Sequence, residues 1–176
     1  MLDKLLDFLR EFWHELTLIA IIPPYDGGVQ LRMGRLLRVL EGGQWYWKIP
    51  FVDDVLNERT VPRTERLTGL ATTTSDGKAI GFDAVITYRI SDIQKALLEV
   101  NDLKDAIADT CAGIIGTELN NAVWSDIVHG NTVDSLTKAC RARGWKWGVE
   151  IQLVQLTGVA PVKNLRVSLS GHTQHV

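Results

Sequence analysis

Along residues 2 to 16 apolar side chains return every three or four positions. Leu2, Leu5, Leu6, Leu9, Phe12, Trp13 and Leu16 form the stripe, and Asp3, Lys4, Asp7, Arg10, Glu11, His14 and Glu15 fill the rest. That spacing predicts an amphipathic helix, which Phe8 widens on its apolar side. Leu18 to Ile22 is a short unbroken apolar run, ended by Pro23-Pro24 because proline breaks both helix and pairing. The period then changes to two. Residues 29–33 and 36–40 read as strands around Gly34-Arg35, and Glu41-Gly42-Gly43 reads as a turn before Trp45, Trp47 and Ile49. A further strand pair is predicted within residues 55–74, and Ser75-Asp76-Gly77 supplies a hairpin turn. The clearest strand follows, with Ile80, Phe82, Ala84, Ile86, Tyr88 and Ile90 on one face.

After Ser91-Asp92 the period becomes helical. Ile93, Ala96, Leu97 and Val100 predict one short helix. Leu103, Ala106, Ile107, Cys111, Ile114 and Ile115 predict a second, with Asn101 or Asp102 as its cap. A third runs from about Thr132 to Arg143 and stops at Gly144. Val149, Ile151, Leu153 and Leu156 predict a last strand ending before Ala160-Pro161, and residues 168–176 read as a disordered tail. Strands, then helices, then a strand make an α+β fold: an antiparallel β-sheet with helices packed on one side, preceded by the amphipathic segment.

Composition narrows the function. The 176 residues are 45% hydrophobic and 23% charged, enough for a core without staples. A net charge of −2 offers no basic stripe for nucleic acid, which is not expected as a partner. Cys111 and Cys140 fall on predicted helices and read as buried free thiols. The first residues lack the basic start and the small-residue cleavage site of a signal peptide.

Candidate chemistry is sparse. The glycines occur as turn pairs, with no phosphate-binding loop. His172 and His175 have a metal-like spacing but stand in a polar tail without carboxylate or thiol support. Asp53-Asp54 reads as a solvated turn rather than a cation site, and Cys111 lies on an apolar face where a thiolate is disfavoured. Trp45 and Trp47 share one strand face and Trp145 and Trp147 another. Too few cations interleave them for base stacking, so core or subunit-interface packing is the expectation. No catalytic, cofactor or metal residue is assigned, and neither an enzyme nor a bound cofactor is expected.

The N-terminal segment is long enough to span a bilayer, but Arg10 and Glu11 would sit near its midplane. At roughly 2.5–3.5 kcal/mol each, they and Asp7, His14 and Glu15 outweigh the leucines. An interfacial position fits better, with Leu2, Leu5, Leu6, Leu9, Phe12, Trp13 and Leu16 as the membrane-contacting stripe. Its polar face is net acidic, so anionic lipid is not expected to help attachment. The alternative is a soluble interaction module whose N-terminal helix packs on a partner or a neighbouring subunit.

Four stretches, in order and with matching spacing, resemble one family. They are residues 28–35, ending in Gly34-Arg35; residues 47–53, with Pro50 and Asp53; and the turn at Asp76-Gly77 followed by residues 82–90, similar to V-D-x-V-x-Y-R-V. The fourth is residues 147–151, starting Trp147-Gly148, followed by Val159-Ala160-Pro161. Together they resemble the stomatin/prohibitin/flotillin family, also called SPFH or band 7, from about Leu18 to Arg166. The resemblance implies a non-enzymatic membrane scaffold that self-associates into rings or cages and organises a membrane region or a partner such as a membrane protease or channel. It also implies membrane association, peripheral or monotopic, with the cytoplasmic side favoured. The expected division is residues 1–22 as membrane-associating segment, 23–167 as the domain and 168–176 as tail. Family members continue from the Pro161 step into a long coiled-coil helix, for which the remaining residues are too few, so subunit contacts are expected from the domain. Lys138, Arg141 and Arg143 against Asp53, Asp54 or Glu58 are the candidate oligomer contacts.

Overall fold

The computed structural model describes residues 18–162; the predicted N-terminal stripe and the 168–176 tail lie outside them. The architecture is α+β and antiparallel throughout, but it is built as three small sheets where one was expected. β1 (Ile19–Ile22) and β4 (Gln44–Trp47) form a two-stranded ribbon. β2 (Asp26–Arg32) is the centre of a second sheet between β3 (Arg35–Leu40) and β5 (Asp53–Arg59). In the third, β7 (Ala79–Ile90) lies between β6 (Arg63–Thr73) and β8 (Val149–Pro161). Four helices follow the strand-rich half: α1 (Ile93–Leu98), α2 (Leu103–Asn121), α3 (Trp124–Val128) and α4 (Val133–Gly144), and a 3-10 turn spans Trp145–Trp147.

The core belongs to the third sheet. Ile80, Phe82, Ala84, Ile86, Tyr88 and Ile90 alternate along β7 and are all buried, in the register their spacing predicts. Over them lie Ile107, Cys111, Ile115 and Leu119, one stripe at four-residue steps along α2, and Leu136 and Cys140 of α4. Each fully buried aliphatic side chain here contributes about 1.5–3 kcal/mol of burial. Asp102 caps α2 by accepting the Asp105 N–H at 3.2 Å, and Asp92 caps α1 through the Lys95 N–H. The helical segment reaches Asn121, beyond the predicted Ile115, because Leu119 continues the buried stripe.

Two further differences have local causes. β8 runs through Pro161 instead of ending before Ala160: Pro161 pairs with Ile80 on an edge strand, where a missing N–H is tolerated. Trp145 and Trp147 stand in the 3-10 turn and not on a strand; Trp147 packs on the core and Trp145 is exposed. That turn ends at Gly148, whose φ of 68° places its carbonyl to accept both the Ser91 and Asp92 N–H groups at 2.9 Å. A side chain there would run into the Asp92 backbone.

Candidate interaction surface

The ribbon β1–β4 is apolar on the wrong side for a core. Ile19 pairs with Trp47 and Ile21 with Trp45, so antiparallel pairing puts all four side chains on one face. That face is outward. Ile21 is 77% exposed, and Trp45 and Trp47 are 60% exposed each, their rings edge to face with centroids 6.0 Å apart. Of the expected core or subunit-interface packing, the core does not hold for Trp45 and Trp47; a four-residue ribbon over a narrow sheet covers only one of its faces, the one carrying Ile22.

Two turns extend this surface at one end of the ribbon. Met33 (φ 49°) and Phe51 (φ 64°) both occupy the left-handed region, unusual for large apolar residues. Both project outward, 83% and 75% exposed. The Met33 N–H donates to the Val52 carbonyl at 2.9 Å, tying the two turns side by side. Lys48 N–H donates to Leu18 O, which brings the start of the ribbon to the same end. Leu18, Ile19, Met33, Trp47, Ile49 and Phe51 therefore share one end of the molecule. Exposed apolar patches of this kind mark interaction surfaces more often than isolated exposed residues do.

Beneath the ribbon lies a polar interior. Gln30 is fully buried and donates to Asp53 at 2.8 Å and to Trp47 O at 3.1 Å. Arg32 grips both carboxylate oxygens of Asp53, at 2.7 and 2.9 Å, and the Ile49 N–H donates to Asp53 at 2.8 Å. Arg38 reaches in from β3 to Gln30 Oε1 at 2.7 Å and to Trp47 O. The Arg32 guanidinium, then the Ile49 N–H, hold the Asp53 carboxyl well below the usual carboxylate range. Asp53 is thus no solvated turn residue: it is the buried anchor that fixes the 49–53 turn and so presents Phe51.

Of the other candidate oligomer contacts, Glu58 pairs with Arg63 at 2.6 Å, and Arg141 donates to the carbonyls of Ile151 and Gln152. Asp54, Lys138 and Arg143 are exposed, with no ion pair among the described residues. The residues that carry the surface, Ile19, Ile21, Met33 and Phe51, were not singled out from sequence. The available signal was the unbroken apolar run 18–22 beside a strand of alternating tryptophans.

A cleft of about 680 Å³ lies between β5 and the α1–α2 connection, lined by Leu56, Glu58, Arg63, Tyr88, Leu97 and Leu103 among others. Of its charges Glu58 and Arg63 pair with each other, Lys104 pairs with Glu65 and Asp102 caps α2, and burial pushes the Tyr88 phenol up, away from use as a base. Cys111 and Cys140 come together between α2 and α4, both buried, and that burial disfavours the thiolate form of either. Among the described residues there is no cluster suited to a metal ion, and no helix long and apolar enough to cross a membrane.

Residues 20–173 match the SPFH domain / Band 7 family. The chain belongs to that family. Its members are in general membrane-associated, non-enzymatic scaffolds. The chain is 28% identical over 158 residues to an uncharacterised protein of Methanocaldococcus jannaschii, covering 86% of this chain and 77% of that one. It is 28% identical to an uncharacterised protein of Archaeoglobus fulgidus, covering 86% and 61%. Stomatin-1 of Caenorhabditis elegans is 26% identical over 153 residues, covering 80% of this chain but 43% of its own length. The SPFH domain here thus corresponds to under half of that stomatin.

Proposed function

We propose that this SPFH protein is a membrane-docked scaffold that attaches through the outward face of its ribbon and holds the α+β unit against the bilayer for self-association. The observation that carries the reading is the arrangement at the ribbon: Gln30 and Asp53 hydrogen-bonded beneath it, Trp45, Trp47, Met33 and Phe51 outside, while Ile22, Val29 and Leu40 are the apolar residues buried in this segment. Apolar side chains outside and hydrogen-bonded polar groups inside suit a surface whose surroundings are not water. Tryptophans at the edge of such a patch suit the headgroup level, where an apolar ring body and a polar N–H are both accommodated.

The predicted stripe Leu2 to Leu16 enters the ribbon at Leu18, at the same end as Phe51 and Met33. Self-association then rests on exposed charges left after internal pairing: Asp54, on the opposite face of its sheet from Asp53, of one copy with Lys138 and Arg143 of another. Such contacts are weak singly and gain by avidity once copies share a surface. Organisation of a partner membrane protein, on the cytoplasmic side, is the role this assembly would serve.

Flotation of the full chain with phosphatidylcholine vesicles tests attachment. The chain is expected to float, and Trp45→Ser/Trp47→Ser to weaken binding by about 2 kcal/mol per tryptophan from lost apolar burial. The same pair should change the melting free energy by less than about 1 kcal/mol, since both side chains face out. A wild-type chain that stays in the soluble fraction would overturn the reading.

A further inference from the structure

The apolar tip is edged by cations, three of which have no carboxylate partner among the described residues. Four basic residues stand at or beside it: Arg32 and Arg35 flank the Met33-Gly34 turn, Arg38 lies further along β3, and Lys48 separates Trp47 from Ile49. Among the described residues only Arg32 has a carboxylate partner, Asp53, and that carboxylate is turned inward. Arg38 spends one side of its guanidinium on Gln30 and the Trp47 carbonyl, and lies over the Tyr46 ring at 5.0 Å. Arg35 is exposed and Lys48 half-buried, and neither has an ion pair among the described residues.

The acidic residues nearby point elsewhere. Asp54 pairs with Leu31, and alternation along β5 sends it to the opposite face of the sheet from Asp53. Glu41 lies in the β3–β4 turn, at the far end of the ribbon from Trp47. The tip therefore presents an apolar centre with a positive edge.

We propose that Arg35, Arg38 and Lys48 make this tip selective for bilayers carrying anionic phosphate headgroups. The proposal rests on membrane docking through the ribbon, and charge complementarity names the lipid class. Side chains such as Trp47 and Phe51 enter the acyl boundary, which sets the flanking cations at the depth of the phosphates, where each is worth roughly a fivefold gain in affinity. The acidic face of the N-terminal stripe predicts indifference to anionic lipid, whereas the tip carries the opposite sign.

The test is vesicle co-sedimentation of the full chain with phosphatidylcholine alone and with phosphatidylcholine containing phosphatidylglycerol, at low and high salt. Binding to the mixed vesicles should be at least tenfold tighter at low salt, and the advantage should collapse at high salt while binding to neutral vesicles persists. Arg35→Glu/Lys48→Glu should abolish the preference without lowering the melting temperature, and should weaken neutral-vesicle binding far less than mixed-vesicle binding. Equal affinity of the wild-type chain for both vesicles, or a preference that survives the double substitution or high salt, overturns the proposal. Absence of binding to either vesicle overturns the docking reading itself, and this inference with it. The salt response of the wild-type chain decides the matter even where the double variant folds poorly.

Discussion

The sheet β6–β7–β8 buries an unbroken apolar face beneath α2 and α4, whereas β3–β2–β5 buries a glutamine and an aspartate beneath a ribbon whose tryptophans face out. Among the described residues, most of the exposed large apolar side chains fall between Leu18 and Leu56, while every member of the main core cluster lies between Leu67 and Val154. Both regions are strand-rich and similarly apolar in sequence, yet the one from Leu18 to Leu56 buries few of its apolar residues, Ile22, Val29 and Leu40 among them, and exposes many. The difference follows from layering. A three-stranded sheet with 11 to 13 residues in each strand can carry a helix pair and close a core. Strands of four to seven residues carry only the short α1 and bury only Ile22, Val29 and Leu40, so beneath the ribbon a hydrogen-bonded network fills the interior and, among the described residues, nothing covers the ribbon's outer apolar face.

The comparison predicts very unequal responses to substitution. Phe82→Asp, at the centre of the closed core, should unfold the chain, since a buried unpaired carboxylate and a lost ring together cost on the order of 4 kcal/mol or more. Thr87→Asp, on the other face of the same strand, should cost about 1 kcal/mol or less. Thermal melts of the two variants read this directly, and similar melting temperatures would remove the distinction between the faces of β7.

In the polar interior the expected loss is smaller. Gln30→Ala leaves Asp53 and Arg38 each short of one partner and should cost about 2 kcal/mol in urea unfolding. A loss below the error of the measurement would mean that the network is ornament beneath the ribbon. Weaker still is the pH signature of Asp53. Its folded carboxyl lies below the ordinary value, so its stabilisation is complete above about pH 4 and fades as pH falls from there toward the depressed folded value. Asp53→Asn should flatten that acid limb of the stability curve, and an unchanged acid profile would remove Asp53 from the role given to it.

How far the sequence disclosed this arrangement differs between the two regions for the same physical reason. The register of β7, the buried helix stripes at Ile107 and Leu136 and the Asp102 cap were legible because each follows from periodicity that a closed core enforces. The outward tryptophans were not. Period two says that Trp45 and Trp47 share a face, but which face meets water depends on what packs beneath, and that was Gln30 with Asp53. The burial of Asp53 was hidden likewise, because its partners Gln30 and Arg32 lie more than 20 residues away. The approach of Cys111 to Cys140 depends on how α2 and α4 cross, which no local pattern encodes.

The central claim, that the ribbon end and not the broad sheet faces the bilayer, is tested most directly by an environment-sensitive fluorophore on single introduced cysteines. Phe51→Cys reports on the tip, and Gln155→Cys on the exposed face of β8 opposite Val85. Cys111 and Cys140 are buried and should remain unlabelled in the folded chain. On adding vesicles, emission from position 51 should shift to the blue and gain intensity, while emission from position 155 stays as in water. A shift at 155 with none at 51, or no shift at either in a sample that has bound vesicles, would contradict the account.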